Sequence, residues 1–294
     1  MVAGQSGREP VCELGCKILY PAVLTLTTFT FTNNYSKFKM QPKVVIITGA
    51  AGGIGSAIAK SFFTSGHKVI LLDQHQDRVD EMVGTFNTDA VSGFACDVTR
   101  EQDIQKIFTN VYDKLGSIDV LVNNAGLQYV SPIESFPVEK FRYMIDVMLT
   151  APFIAVKYAL PYMKQQGFGR VINMASVNGL IGFAGKAAYN SAKHGLIGLT
   201  KVTALETAMY GITVNAVCPG YVDTDLVRNQ MADLARTRGV PVEKVLEEVI
   251  YPLVPQKRLL QTDEIAAVTL FLAGDQAAGI TGQSIVIDGV YTVG

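Results

Sequence analysis

A single doubly wound, parallel α/β sheet of about seven strands, with a helical insertion near its C-terminal end, is the fold this sequence predicts. Three observations predict it. Short apolar runs recur from Lys43 onward with helical stretches between most of them, a glycine-rich turn follows the first run, and no Pro/Gly/Ser-rich linker divides the region. Strands covered by crossover helices on both faces read as continuous apolar runs, which is the pattern here.

The runs are KVVII at 43–47, KVILL at 68–72, VSGFA at 91–95, DVLV at 119–122, RVINM at 170–174, ITVNAV at 212–217 and SIVI at 284–287. They define one domain, residues 41–294. Residues 1–40 show no such alternation and are expected to be an extension outside the fold, with Met40 standing where the domain would begin. Within them Ile18 to Phe31 is an apolar run of fourteen residues broken by Pro21, shorter than the roughly 20 residues a membrane span needs. Residues 223–261 follow the sixth run and carry two short helical patterns split by Gly239 and Pro241. An insertion there lies over the C-terminal edge of the sheet, where ligands bind in such folds, and is a candidate substrate lid.

Charged residues make up 17% of the chain, against about 25% in an ordinary domain. So little charge leaves apolar surface to be buried between subunits, and a homo-oligomer is expected. The net charge of −1, with no basic block, argues against nucleic acid or an anionic membrane as partner and for a small molecule. Cys12, Cys16, Cys96 and Cys218 form no disulfide framework, which fits a reducing, cytoplasmic setting. Cys12 and Cys16 have no second pair and His67, His75 and His194 are scattered, so no metal site is expected.

The chemistry is carried by two motifs. TGAAGGIG runs from Thr48 to Gly55, with Gly49, Gly53 and Gly55 around a helix that opens at Ile54. Such a turn brings backbone N–H groups and the positive end of a helix against a pyrophosphate. Asp73 ends the second run, at the spacing from which a carboxylate accepts hydrogen bonds from the adenosine ribose. It would repel a 2′-phosphate, and the loop holds no Arg or Lys, so NAD is favoured over NADP. Further on, Tyr189 and Lys193 stand one helical turn apart, phenol above ammonium. A cation within about 4–6 Å favours the phenolate and pulls a tyrosine from its ordinary value near 10 toward a working general base or acid. Ser176, thirteen positions before Tyr189, arrives from a different strand and can bond the same substrate oxygen. His194 adjoins Lys193, but adjacent helical residues point about 100° apart, so it packs or faces solvent.

This Ser, the Tyr-x-x-x-Lys and the glycine turn, in order with NNAG at 123–126 and CPG at 218–220, resemble the short-chain dehydrogenase/reductase family from Lys43 to the C-terminus. The resemblance implies that Asp97 and Val98 border the adenine and Asn124 the ribose. It implies that Pro219, Gly220, Val222 and Thr224 flank the nicotinamide. Within the family, NNAGLQ, GKAAY, KVTALE and CPGYVDTDLVRNQ are similar to the bacterial 3-hydroxybutyrate dehydrogenases. That likeness implies NAD-dependent oxidation of (R)-3-hydroxybutyrate to acetoacetate, a homotetramer, and a carboxylate cradle of Gln128, Lys186 and Gln230. Another hydroxy acid, an acyl or a sugar substrate is the alternative. A catalytically silent dinucleotide-binding protein is the alternative of another class, and it would be free to lose Ser176, Tyr189 or Lys193.

Four positions depart from the family pattern. Asn178 stands where His is frequent and Tyr291 where Trp is usual, so the pocket is expected to be reshaped. The terminal Asp-Gly-Gly is Asp288-Gly289-Val290, expected to bear on subunit packing. Met148 replaces the Asn that completes the catalytic set. The resemblance assigns that position's backbone carbonyl to a water-mediated proton relay, and Pro152, four residues on, has no N–H to occupy the carbonyl.

Overall fold

The computed structural model describes residues 42–293; the expected extension, with Cys12 and Cys16, lies outside the described residues. From β1 (Val44–Thr48) the chain turns into α1 (Gly53–Thr64). It continues through β2 (Lys68–Asp73), α2 (Gln76–Gly84), β3 (Val91–Ala95), α3 (Glu101–Leu115) and β4 (Val120–Asn123). Then come α4 (Val138–Ile145), α5 (Ala151–Gln166), β5 (Gly169–Met174), α6 (Ala187–Thr207) and β6 (Ile212–Pro219). The last elements are α7 (Asp225–Asn229), α8 (Met231–Arg238), α9 (Thr262–Ala273) and β7 (Ser284–Ile287). All seven apolar runs are strands. They form one parallel sheet in the order β3-β2-β1-β4-β5-β6-β7.

Alternation along the strands makes two cores. On β1, Val44 and Ile46 face a layer with Phe108, Met148 and Ala192, whereas Val45 and Ile47 face one with Ile58, Phe62 and Ile265. The first layer is covered by α3, α5 and α6 and the second by α1 and α9. Because β1 pairs with both β2 and β4, the chain reverses its winding there, and the loops at their C-terminal ends part to leave a crevice.

Val138–Gln166 is one helical stretch long and apolar enough to cross a membrane, but half of its most apolar window is buried in the fold, and it packs on α3 and α6 as a core element. It is interrupted by a π turn at Asp146–Thr150, where Ala151 N–H reaches the Asp146 carbonyl. Pro152 explains the interruption. It offers no N–H to the carbonyl of Met148, and a wider turn absorbs the mismatch.

Both expected helical patterns of the 223–261 segment form, the second of them without a regular α-helix. The first pattern forms α7 and α8, ended by Gly239 in the left-handed region (φ 69°). The second is a 3-10 turn at Val242–Lys244 and a π turn at Leu246–Ile250, since Pro252 and Pro255 deny it the donors that would extend a helix. Leu234, Val245, Ile250 and Val254 give the segment a small core of its own against Tyr221.

At the C-terminal turn the structure shows what holds Val290 within the subunit. The Asp288 carboxylate accepts hydrogen bonds from Val290 N–H (2.9 Å), Thr292 N–H (2.8 Å) and the Thr292 hydroxyl (2.7 Å). That clamp holds Val290 at φ 76°, a conformation foreign to a β-branched residue, and turns Tyr291 onto Tyr221, ring centroids 6.0 Å apart. A strained non-glycine residue of this kind costs on the order of 1–3 kcal/mol, partly offset in a glycine variant by about 0.4–1 kcal/mol of unfolded-chain entropy. Val290→Gly should therefore stabilise the protein by roughly 1 kcal/mol in thermal or denaturant unfolding; an unchanged or lower midpoint would show that the turn is not strained.

Candidate active site

The crevice is a cavity of about 540 Å³ running from Asp73, Asp97 and Val98 past the glycine turn to Ser176, Tyr189, Lys193 and Pro219. The turn is built for close approach. Gly49 has φ 63°, and a Cβ there would lie 2.8 Å from the Ala125 backbone; a Cβ on Gly53 would lie 2.7 Å from the Thr224 side chain. α1 starts at the cavity with no side-chain cap and no acidic residue in its first turn. Its free N–H groups and positive end are therefore available to an anion. Residues and shape fit a nicotinamide dinucleotide. Ile54, Gly55, Gly220, Val222 and Thr224 line the same cavity.

Two expected cofactor residues act at one remove. The Thr48 side chain does not reach the cavity; its hydroxyl accepts N–H bonds from Asn124 (3.0 Å) and Ala125 (3.1 Å). Asn124 lines the cavity but spends its amide protons on the carbonyls of Thr48 (3.1 Å) and Gly49 (2.9 Å). Together they lock β4 to the glycine turn. At the adenosine end, Asp73 accepts from Ala51 N–H (3.1 Å) and Gln74 N–H (2.9 Å). Arg78, absent from the sequence reading, reaches back to donate to the Ala51 carbonyl (3.0 Å) and lines the cavity. The signal was present. Side chains near a helix start lean toward its N-terminus, and Arg78 is in the first turn of α2, directly after β2.

Ser176 caps the 3-10 turn after β5, accepting Asn178 N–H at 3.1 Å. α6 delivers Tyr189 and Lys193 on one face. Lys193 is buried, its ammonium 2.6 Å from the Met174 carbonyl and 5.5 Å from the Tyr189 ring centroid. Its pKa is pushed down to about 8 by burial. Tyr189 departs from expectation: burial raises its pKa, and the hydrogen bond with Ser176 offsets this only in part. Desolvation disfavours the charged phenolate and is the largest influence on this group. Met148 buries its side chain in the sheet core, outside the cavity, so only its backbone can serve the site. His194 faces solvent.

Beyond Tyr189 the crevice ends in a small pocket of about 40 Å³ that gathers Gln128, Asn178, Lys186, Gln230 and Tyr291. Residues spread over a hundred and sixty positions of sequence are thus brought together. Lys186, 3% exposed, has no carboxylate partner among the described residues; its ammonium lies over the rings of Phe183 (4.6 Å) and Tyr221 (5.7 Å). Burial pushes its pKa to about 8. Asn178 Nδ2 and Gln230 Oε1 are buried without a hydrogen-bond partner. Three polar groups left wanting in one pocket mark a place for a polar ligand.

The family model for short chain dehydrogenase matches residues 43–235. The chain belongs to the short-chain dehydrogenase family. It is 55% identical over 255 residues to the uncharacterized oxidoreductase YxjF of Bacillus subtilis (strain 168), covering 86% of this chain and 99% of that one. It is 43% identical over 255 residues to the D-beta-hydroxybutyrate dehydrogenase of Rhizobium meliloti (strain 1021), covering 85% and 98%. The solved structure of ElxO with NADP bound superposes with a TM-score of 0.77 at 31% identity, covering 86% and 100%. The protein is thus an oxidoreductase of a family that binds nicotinamide dinucleotides.

A buried cation without a counter-ion costs stability. Lys186→Met, similar in length and apolar, should stabilise the protein at pH 7 by roughly 1–3 kcal/mol. Because the folded pKa of Lys186 lies below its unfolded value, the penalty is complete below pH 8 and fades as pH rises toward the unfolded pKa near 10.4. Urea unfolding of both proteins across that range should show the two stabilities converging; a constant gap would mean that Lys186 is not desolvated.

Proposed function

We propose that the protein oxidises (R)-3-hydroxybutyrate to acetoacetate, reversibly, with NAD as hydride carrier. The observation that carries this reading is Lys186, a buried, unpaired ammonium in the pocket that adjoins Tyr189. A carboxylate supplies the missing charge, and the amides of Gln128, Asn178 and Gln230 complete its hydrogen bonds. Lys186 is also the residue before the first turn of α6, so the helix's positive end favours the same anion. The pocket's size suits a few heavy atoms, which supports a short acid over a sugar or an acyl carrier.

With the carboxylate held there, the substrate's oxygen at C3 is proposed to meet Ser176 and Tyr189. In oxidation the hydroxyl proton passes to Tyr189 as phenolate, which Lys193 stabilises, while Ser176 bonds the oxygen as it becomes a carbonyl. NAD bound in the crevice would supply the acceptor for the hydride of C3. In reduction Tyr189 is already the acid, consistent with its raised pKa. The Met148 carbonyl, denied its helical donor by Pro152, is proposed to accept the relay water behind Lys193. Exposed apolar residues on and just beyond α6, Val202, Leu205, Met209 and Tyr210, support a homo-oligomer, and buried free thiols at Cys96 and Cys218 support a cytoplasmic setting.

NADH formation with a panel of short hydroxy acids and neutral alcohols tests the reading. (R)-3-Hydroxybutyrate should be the preferred substrate, and Lys186→Gln should raise its KM about 10–100-fold with a smaller effect on kcat; a neutral alcohol used as well as the acid would refute the carboxylate cradle. Pro152→Ala, which restores a donor to the Met148 carbonyl, should lower kcat several-fold and alter its pH profile, whereas Met148→Asn should change little. An unchanged Pro152→Ala enzyme would place the relay elsewhere.

A further inference from the structure

Phe183 stands in the loop between the Ser176 turn and α6, and its ring carries two cations. The Lys186 ammonium lies 4.6 Å from the ring centroid and the Arg238 guanidinium 5.4 Å. Neither has an ion-pair partner among the described residues. They come from different parts of the fold: Lys186 is buried and lines the small pocket, whereas Arg238 is the exposed last residue of α8. The other arginine of that turn, Arg236, is held within the helix by Asp233 at 2.7 Å. Arg238 instead reaches out of its helix toward the aromatic residues behind the pocket. Phe183, Tyr221 and Tyr291 belong to the small core of the 223–261 segment. Burial raises the pKa of both phenols, and the Arg238 charge opposes it on each.

A ring face attracts a cation, but a second like charge on the same ring repels the first. The contact that ties the end of α8 to the loop before α6 therefore forms against the charge of Lys186. A carboxylate on Lys186 cancels that repulsion and adds its own attraction for the guanidinium. We propose, resting on the carboxylate reading of the pocket, that Arg238 is a specificity-determining residue that responds to the charge at Lys186. The 223–261 segment then tightens over an acid and stays looser over a neutral molecule of the same shape. Part of the discrimination arises outside the pocket, since Arg238 is not among the residues that line it.

Hydrogen exchange of the backbone amides of residues 231–250, referenced to those of β4 and β5, reads this tightening without catalysis. Lys186→Met removes the charge with no ligand present and should slow that exchange about 3–10-fold in the free protein. Adding Arg238→Gln should abolish the slowing, and adding Arg238→Lys instead should keep most of it. Saturating butyrate should slow the same amides in the unaltered protein, whereas butyramide should not. Arg238→Gln should weaken butyrate about 3–10-fold and leave butyramide unchanged. Arg238 is exposed, so its variants are expected to fold. Exchange that ignores Lys186→Met, or slowing that survives Arg238→Gln, would overturn the proposal. Failure of butyrate to bind the unaltered protein would instead remove the carboxylate reading, and the ligand-free Lys186→Met arm would still decide whether Arg238 responds to that charge.

Discussion

Two lysine ammonium groups, Lys186 and Lys193, are buried beside one crevice with no carboxylate near either among the described residues. A domain does not carry such charges for stability, because each one forfeits hydration that the interior does not replace. The first has only ring faces for partners; the second has one backbone carbonyl at the end of β5. Both pKa values fall to about 8, so each ammonium is held at a cost that a neighbouring negative charge would relieve. The site is electrostatically incomplete, and in the proposed reaction the missing charges are the phenolate and the substrate's carboxylate.

The fold enforces this arrangement through α6. Twenty-one residues long and packed across β6, the helix carries Tyr189 and Lys193 in its first two turns with Lys186 just before them. Its remaining length buries Leu196, Ile197, Thr200 and Ala204, which anchors the reactive end at the sheet edge. The same rigidity runs through the Asn123–Asn173–Thr200 chain of buried hydrogen bonds, 2.8 and 2.9 Å long, which ties β4 and β5 to α6 beneath the site. Catalytic geometry thus depends on buried polar contacts that leave no mark on a hydrophobic pattern.

That distinction decides what was legible in the sequence. The seven strands and the glycine turn were readable because parallel strands buried on both faces leave unbroken apolar runs, and because only glycine tolerates the turn at Gly49. Tyr189, Lys193 and Ser176 were readable because helical period and order in the chain place them. The second half of the 223–261 segment was legible as helical but not as 3-10 and π turns, since Pro252 and Pro255 act on residues four positions earlier. The upward shift of Tyr189 was missed because it depends on how much water the folded chain excludes, and the reach of Arg78 and the strain at Val290 because they depend on side-chain direction and on a clamp from Asp288.

The central claim, that Lys186 is a charge awaiting a carboxylate, is tested most directly by proton uptake. Butyrate carries the proposed substrate's carboxylate and no hydroxyl, and its binding can be followed by calorimetry in buffers of different ionisation enthalpy. With a free pKa of about 8, binding at pH 8 should draw in about half a proton, binding at pH 6 almost none, and Lys186→Met should abolish the uptake. Butyrate binding at pH 8 without proton uptake, or uptake that persists in Lys186→Met, would contradict the account.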